Sequence, residues 1–226
     1  PVALLVIAII GCFTALFAAT IAFTMTDIKA VLAYSTISQL GFMFTALGTG
    51  SNIGWKAGMF HLVTHAFFKA GLFLGSGSVI HACHHEQDMT KMGGLRSKLP
   101  ITHAVYLVCC LSIAGFPFTA GFQSKDMILQ SLWAGNGHYD TAYKVIFFVL
   151  AAAALMTAAY MFRGFLLPFY GKPRDHHIHD HAHESPKTMT VGLMILASLA
   201  VLAGYWWHDW ALPIGVAHAA GEHGGG

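Results

Sequence analysis

Apolar residues fall into six long stretches, roughly 2–23, 28–48, 56–83, 101–132, 142–166 and 188–207. Each is near or above the ~20 residues that a helix needs to cross a bilayer. Polar and turn-forming residues separate them at Thr26-Asp27, Gly48 to Asn52, His84 to Pro100, Ala134 to Asp140 and Pro168 to Lys187. The pattern predicts an all-α integral membrane protein of about six transmembrane helices, with no soluble domain between any two spans. A polar Gly/His tail follows over 208–226, which reads as a truncated loop. The fourth stretch is too long for one straight crossing and too short for two. It holds Gly115-Phe116-Pro117 and Gly121, so a broken helix is expected there, and irregular backbone at that depth must lie against protein or a wet cavity.

Composition agrees with the pattern. The chain has 226 residues, 56% hydrophobic and 10% charged, against about 25% charged for a soluble domain, so much of its surface must face lipid. A net charge of +2 with no basic stripe gives no reason to expect nucleic acid. Cys12, Cys83, Cys109 and Cys110 lie in or beside apolar runs without CxxC spacing and read as small packing residues. Pro1 opens inside an apolar run, without a basic segment or cleavage motif, so no signal peptide is expected and the chain reads as a piece of a longer membrane protein.

Alternate crossings place Lys29, Lys91, Arg96, Lys98, Arg163, Lys172, Arg174 and Lys187 on one side, and Lys56 and Lys144 on the other. The bias assigns the first side to the cytoplasm or its topological equivalent. Lys69 and Lys125 belong to neither side. Lys69 lies near the middle of stretch 56–83, too deep to reach an interface, where a charge costs at least about 2.5–3.5 kcal/mol. Burial disfavours the charged ammonium, so a lysine held there is suited to giving up and retaking a proton.

His61, His65 and Lys69 follow at i, i+4 and i+8, on one helical stripe about 6 Å apart along the axis. A single transmembrane histidine most often makes one interhelical hydrogen bond; three ionisable groups on one stripe favour a proton ladder. Metal binding by His61 and His65 is disfavoured by Lys69 beside them and by the lack of a carboxylate. Lys125 follows the expected break, with Ser124 as a candidate cap for the second half-helix and Asp126 as a candidate counter-ion. Asp27 and Lys29 read as an interfacial pair. The tract Asp175 to His183 has the composition of a metal-binding loop, although such loops commonly hold no specific ligand; His218 and His223 add less. No nucleotide loop, iron–sulfur cysteine cluster, haem pair or nucleophile triad is present, so no cofactor is expected in this chain.

Four segments carry a family resemblance: Asp27 to Gly41, Phe60 to Lys69, His85 to Leu95, and Ala120 to Leu129. In this order they resemble the antiporter-like membrane subunits of respiratory complex I, called subunit L in bacteria and chain 5 in mitochondria. The match runs through about residues 20–170 and corresponds to the second inverted repeat of such a subunit. The resemblance implies a proton-pumping part of an NADH–quinone oxidoreductase, a translocase, in the bacterial inner (plasma) membrane. Lys69 is then the central relay lysine, His61 and His65 its connecting histidines, and Lys125 with Asp126 the lysine at the broken helix. Met127 stands where relatives often have an acid. NADH, FMN, iron–sulfur clusters and quinone belong to other subunits, and the implied partners are other membrane-arm subunits, lipid and protons. Two alternatives stay open: the large subunit of a multisubunit cation/proton antiporter, and a structural scaffold whose lysines only tie helices together. The loop His85 to Leu95 favours the complex I reading over the antiporter.

Overall fold

The computed structural model describes residues 2–134 and 139–211, with backbone alone at 177 and 206–211. Eight α-helices run in chain order among them: α1 (Val2–Thr24), α2 (Ile28–Gly48), α3 (Asn52–Ala82), α4 (Pro100–Ala114), α5 (Ala120–Trp133), α6 (Asp140–Phe169), α7 (His176–His181) and α8 (Lys187–Ala211). Of these, α1, α2, α3, α6 and α8 are long and apolar enough to cross a membrane. The stretch expected as one broken helix is two helices, α4 and α5, joined by residues 115–119. The tail beyond residue 211, with His218 and His223, lies outside the described residues.

Local chemistry sets the helix ends. Asp27 caps α2 by accepting from the Lys29 and Ala30 amides at 2.7 and 3.0 Å. Ser51 caps α3 through the Gly54 amide, five residues before the apolar run begins at Lys56. Pro100 starts α4, where its missing N–H costs nothing, and Gly115 ends it in the left-handed conformation at φ 82°. α5 is capped by Thr119, which accepts from the Phe122 amide, and not by Ser124 as the sequence suggested. Ser124 sits one turn inside the helix, where its hydroxyl meets another helix.

The helices pack through small residues. A Cβ on Gly41 of α2 would stand 2.5 Å from the Ala15 amide of α1, and one on Gly11 would stand 2.6 Å from the Thr45 amide. Only glycine permits this approach, a common arrangement between helices in lipid. Opposite this seam, α1 turns Val6, Ile10, Phe13 and Phe17 outward, as a lipid-facing surface requires. All four cysteines are buried and unbridged, as packing residues would be.

The basic-side loops are fastened to one another. The chain before α2 pairs with the α3–α4 loop through Ile28 N–H to Gln87 O (3.1 Å) and Met89 N–H to Thr26 O (2.9 Å). Arg163 donates to the Met25 carbonyl at 2.7 Å, and Arg174 to the Met92 carbonyl at 2.5 Å. Within that loop, the Asp88 amide and the Lys91 ammonium hold the Glu86 carboxyl below its ordinary pKa, and the Thr90 hydroxyl does the same for Asp88. Glu184, before α8, accepts from the Ile101 and Thr102 amides and satisfies the N-terminus of α4. The histidine tract expected as a loop forms the short helix α7, with Asp175 accepting from the Ile178 amide at 3.4 Å. Among the described residues no three His, Cys, Asp or Glu side chains gather as a metal site.

Candidate functional site

α3 presents His61, His65 and Lys69 along one stripe, all buried; Lys69 is 5% exposed and His61 not at all. The two imidazole centroids are 6.2 Å apart, the separation expected for successive turns. His61 is tied on both sides. Its Nδ1 lies 2.8 Å from Ser124 Oγ of α5, and its Nε2 lies 3.1 Å from Gln39 Oε1 of α2. The Gln39 amide nitrogen reaches Thr157 Oγ1 of α6 at 3.5 Å, and Thr157 donates to the Ala153 carbonyl at 2.9 Å. Thr64, one turn on from His61, donates to Ser124 at 3.1 Å. One buried hydrogen-bonded chain therefore joins α2, α3, α5 and α6.

His65 and Lys69 differ from His61. His65 Nε2 and Lys69 Nζ are buried without a hydrogen-bond partner, and Lys69 Nζ sits 5.6 Å from the centre of the Phe73 ring. Unpartnered buried groups of this kind each cost about 1–3 kcal/mol, so their retention at the centre of a bundle is a functional signal. The buried Tyr160 hydroxyl lies among Ser35, Ser38, Gln39 and Thr157, at the other end of the chain.

Lys125 belongs to the break. Its ammonium donates to the Ile113 carbonyl at 2.6 Å, in the last turn of α4, where unsatisfied carbonyls and the negative end of the helix dipole favour a cation. It also lies 5.2 Å from the Phe42 ring centre. Asp126, expected beside it as a counter-ion, points away and accepts from Gln130 Nε2 at 2.7 Å, one turn on and exposed. Adjacent residues on a helix project about 100° apart, which separates the two side chains. Among the described residues no carboxylate hydrogen-bonds to either lysine.

Sequence reasoning missed Gln39, Thr64, Thr157 and the bonding role of Ser124. Their one signal was an uncharged polar group inside an apolar run. Most such hydroxyls here, Thr14 and Thr20 among them, bond only their own helix. The residues that cross between helices stand out only in the fold.

Fold and site together define a polytopic α-helical membrane protein with ionisable side chains held inside the bundle. The chain belongs to the family described as NADH:quinone oxidoreductase/Mrp antiporter, transmembrane, whose model matches residues 1–157. It is 51% identical over 221 residues to NADH-quinone oxidoreductase subunit L of Rhodobacter capsulatus, covering 92% of this chain and 30% of that protein. It is 43% identical over 211 residues to NADH-ubiquinone oxidoreductase chain 5 of Dictyostelium discoideum, covering 93% and 31%. Among solved structures, it resembles a chain of an archaeal membrane-bound sulfane sulfur reductase, with TM-score 0.80 and 31% identity over 90% of this chain and 32% of that one. A chain of the Mrp complex from Dietzia sp. shares the fold, with TM-score 0.79, 18% identity and 92% and 45% coverage. The chain thus spans about a third of the length of the relatives it matches.

Proposed function

We propose that this chain forms part of a proton-translocating, antiporter-like subunit of an NADH–quinone oxidoreductase in a bacterial inner membrane. Redox chemistry, with NADH, FMN, iron–sulfur clusters and quinone, belongs to other subunits of that complex. The observation that carries the reading is a pair of buried lysines, neither hydrogen-bonded to a carboxylate among the described residues, with the hydrogen-bonded His61 on the stripe that holds Lys69.

Each group suits one task. Among the described residues Lys69 Nζ has no hydrogen-bond partner, so no such bond must break before it exchanges a proton. His65 lies one turn away, and His61 one turn further, against Ser124. The Ser124 hydroxyl both donates and accepts, so a proton reaching His61 is passed on as another leaves Ser124. Lys125, also on α5, holds a charge against the α4 carbonyls through Ile113.

The test is Lys69→Ala in the assembled complex reconstituted in vesicles, with proton pumping and electron transfer recorded together. Relay predicts that protons moved per electron fall while the complex stays assembled. Unchanged pumping by an intact complex rules the relay out and leaves a scaffold role. Cation exchange without redox coupling would instead favour the cation/proton antiporter, which the family description also embraces.

A further inference from the structure

The hydrogen bonds around His61 have a direction, and it can be read from the α6 end. Thr157 spends its only proton on the Ala153 carbonyl, so toward Gln39 its oxygen accepts. The Gln39 group that faces it at 3.5 Å must be the NH2, which turns the amide oxygen toward His61. An amide oxygen only accepts, so His61 Nε2 at 3.1 Å must carry a proton. In the neutral imidazole Nδ1 is then the lone-pair nitrogen, and it accepts from Ser124 at 2.8 Å. Ser124 receives from Thr64 at 3.1 Å, nearer than the His61 carbonyl that Thr64 also faces at 3.2 Å, and its own proton goes to Nδ1 at 2.8 Å in preference to the Gly121 carbonyl at 3.3 Å. With the shorter contact taken at each hydroxyl, the order is consistent from Thr157 to Thr64. Reversing His61 would set its bare Nε2 lone pair against the Gln39 oxygen.

We propose that Gln39 is a positioning residue that fixes His61 in its Nε2–H tautomer, so that Nδ1, facing Ser124 and α5, is the atom that takes up an incoming proton. Gln39 and Thr157 are both fully buried, so no solvent competes for these bonds. The step balances simply: Nδ1 gains one proton, giving an imidazolium bonded to Gln39 through Nε2 and to Ser124 through Nδ1. Loss of that proton through Ser124 restores the same tautomer. Because Gln39 never ionises, it holds the ring without drawing the proton toward α6. The proposal deepens the relay reading and rests on it for its purpose, though not for its test.

The experiment is solid-state nitrogen NMR of the assembled complex with labelled histidine, the His61 signals being assigned by their loss in His61→Gln. In the unaltered complex the Nδ1 signal is expected to be that of an unprotonated nitrogen. Gln39→Leu removes the acceptor, so the proton moves to Nδ1 and bonds Ser124; loss of one hydrogen bond shifts the tautomer ratio by about fivefold or more. Gln39→Glu keeps an acceptor at Nε2 and keeps the original tautomer. Thr157→Val frees the Gln39 amide to turn over and gives a mixture of the two, which serves if Gln39→Leu does not assemble. A protonated Nδ1 in the unaltered complex, or an unchanged ratio in both Gln39→Leu and Thr157→Val, overturns the proposal. Neither result bears on Lys69→Ala: normal pumping there would sink the relay and leave the tautomer assignment standing.

Discussion

His61 and His65 share a helix stripe and differ in everything that holds them. His61 uses both ring nitrogens, whereas His65 Nε2 has no partner. A ring bonded at both nitrogens is fixed in orientation, whereas His65 is held by packing against Phe68 and His61. Ser124→Ala tests this difference, because it leaves His61 Nδ1 and the Thr64 hydroxyl buried without that partner. The variant should lower stability by about 1–3 kcal/mol, read as a lower melting temperature of the purified complex, and should reduce pumping per electron. Unchanged values for both would mean that the His61–Ser124 bond carries little. The two lysines and two histidines were legible in the sequence, because a charge or imidazole in an apolar run is costly enough to notice. Gln39 and Thr157 were not, since an amide or hydroxyl costs less and is commonly satisfied within its own helix. The pairing of Lys125 with Asp126 misled for a different reason: adjacency along the chain is not adjacency on a helix, and Lys125 found the end of α4 instead.

At the scale of elements, hydrophobic length located the long helices and turn chemistry decided their ends. Gly115 and Pro117 marked the break in the fourth stretch. The sequence pointed to Ser124 as the cap for the second part, and packing placed the cap at Thr119 instead. A Cβ on Gly121 would stand 1.9 Å from the Ser112 carbonyl, so the first turn of α5 must lie directly on α4. Starting α5 at Thr119 brings Gly121 to that contact and frees Ser124 to face His61. The α1–α2 seam is equally close and was not visible in advance, because glycine in a membrane helix carries no pattern of its own. Gly41→Ala puts a methyl against the α1 backbone, where no flexible side chain can yield. Overpacking of this kind costs about 1–3 kcal/mol, so less assembled complex is expected in the membrane, measured by blue-native electrophoresis. Wild-type amounts would mean that the seam has slack.

Across the whole molecule, the polar chain runs through four helices between two ends of opposite character. Arginine-bound loops close the basic side, and Tyr143 donating to the Gly48 carbonyl at 3.0 Å ties α6 to the α2 end on the other. The ends are fastened by bonds that must persist, whereas Lys69 and His65 at the centre carry polar atoms with none. That contrast is what a conduit inside a rigid frame requires. The most direct measurement is protons pumped per electron in vesicles for Lys69→Arg beside the unaltered complex. A guanidinium keeps the positive charge and does not give up its proton. If Lys69 works by releasing and retaking a proton, Lys69→Arg should assemble, pass electrons, and pump as poorly as Lys69→Ala. Pumping restored by arginine would contradict the relay, because a fixed charge would then suffice.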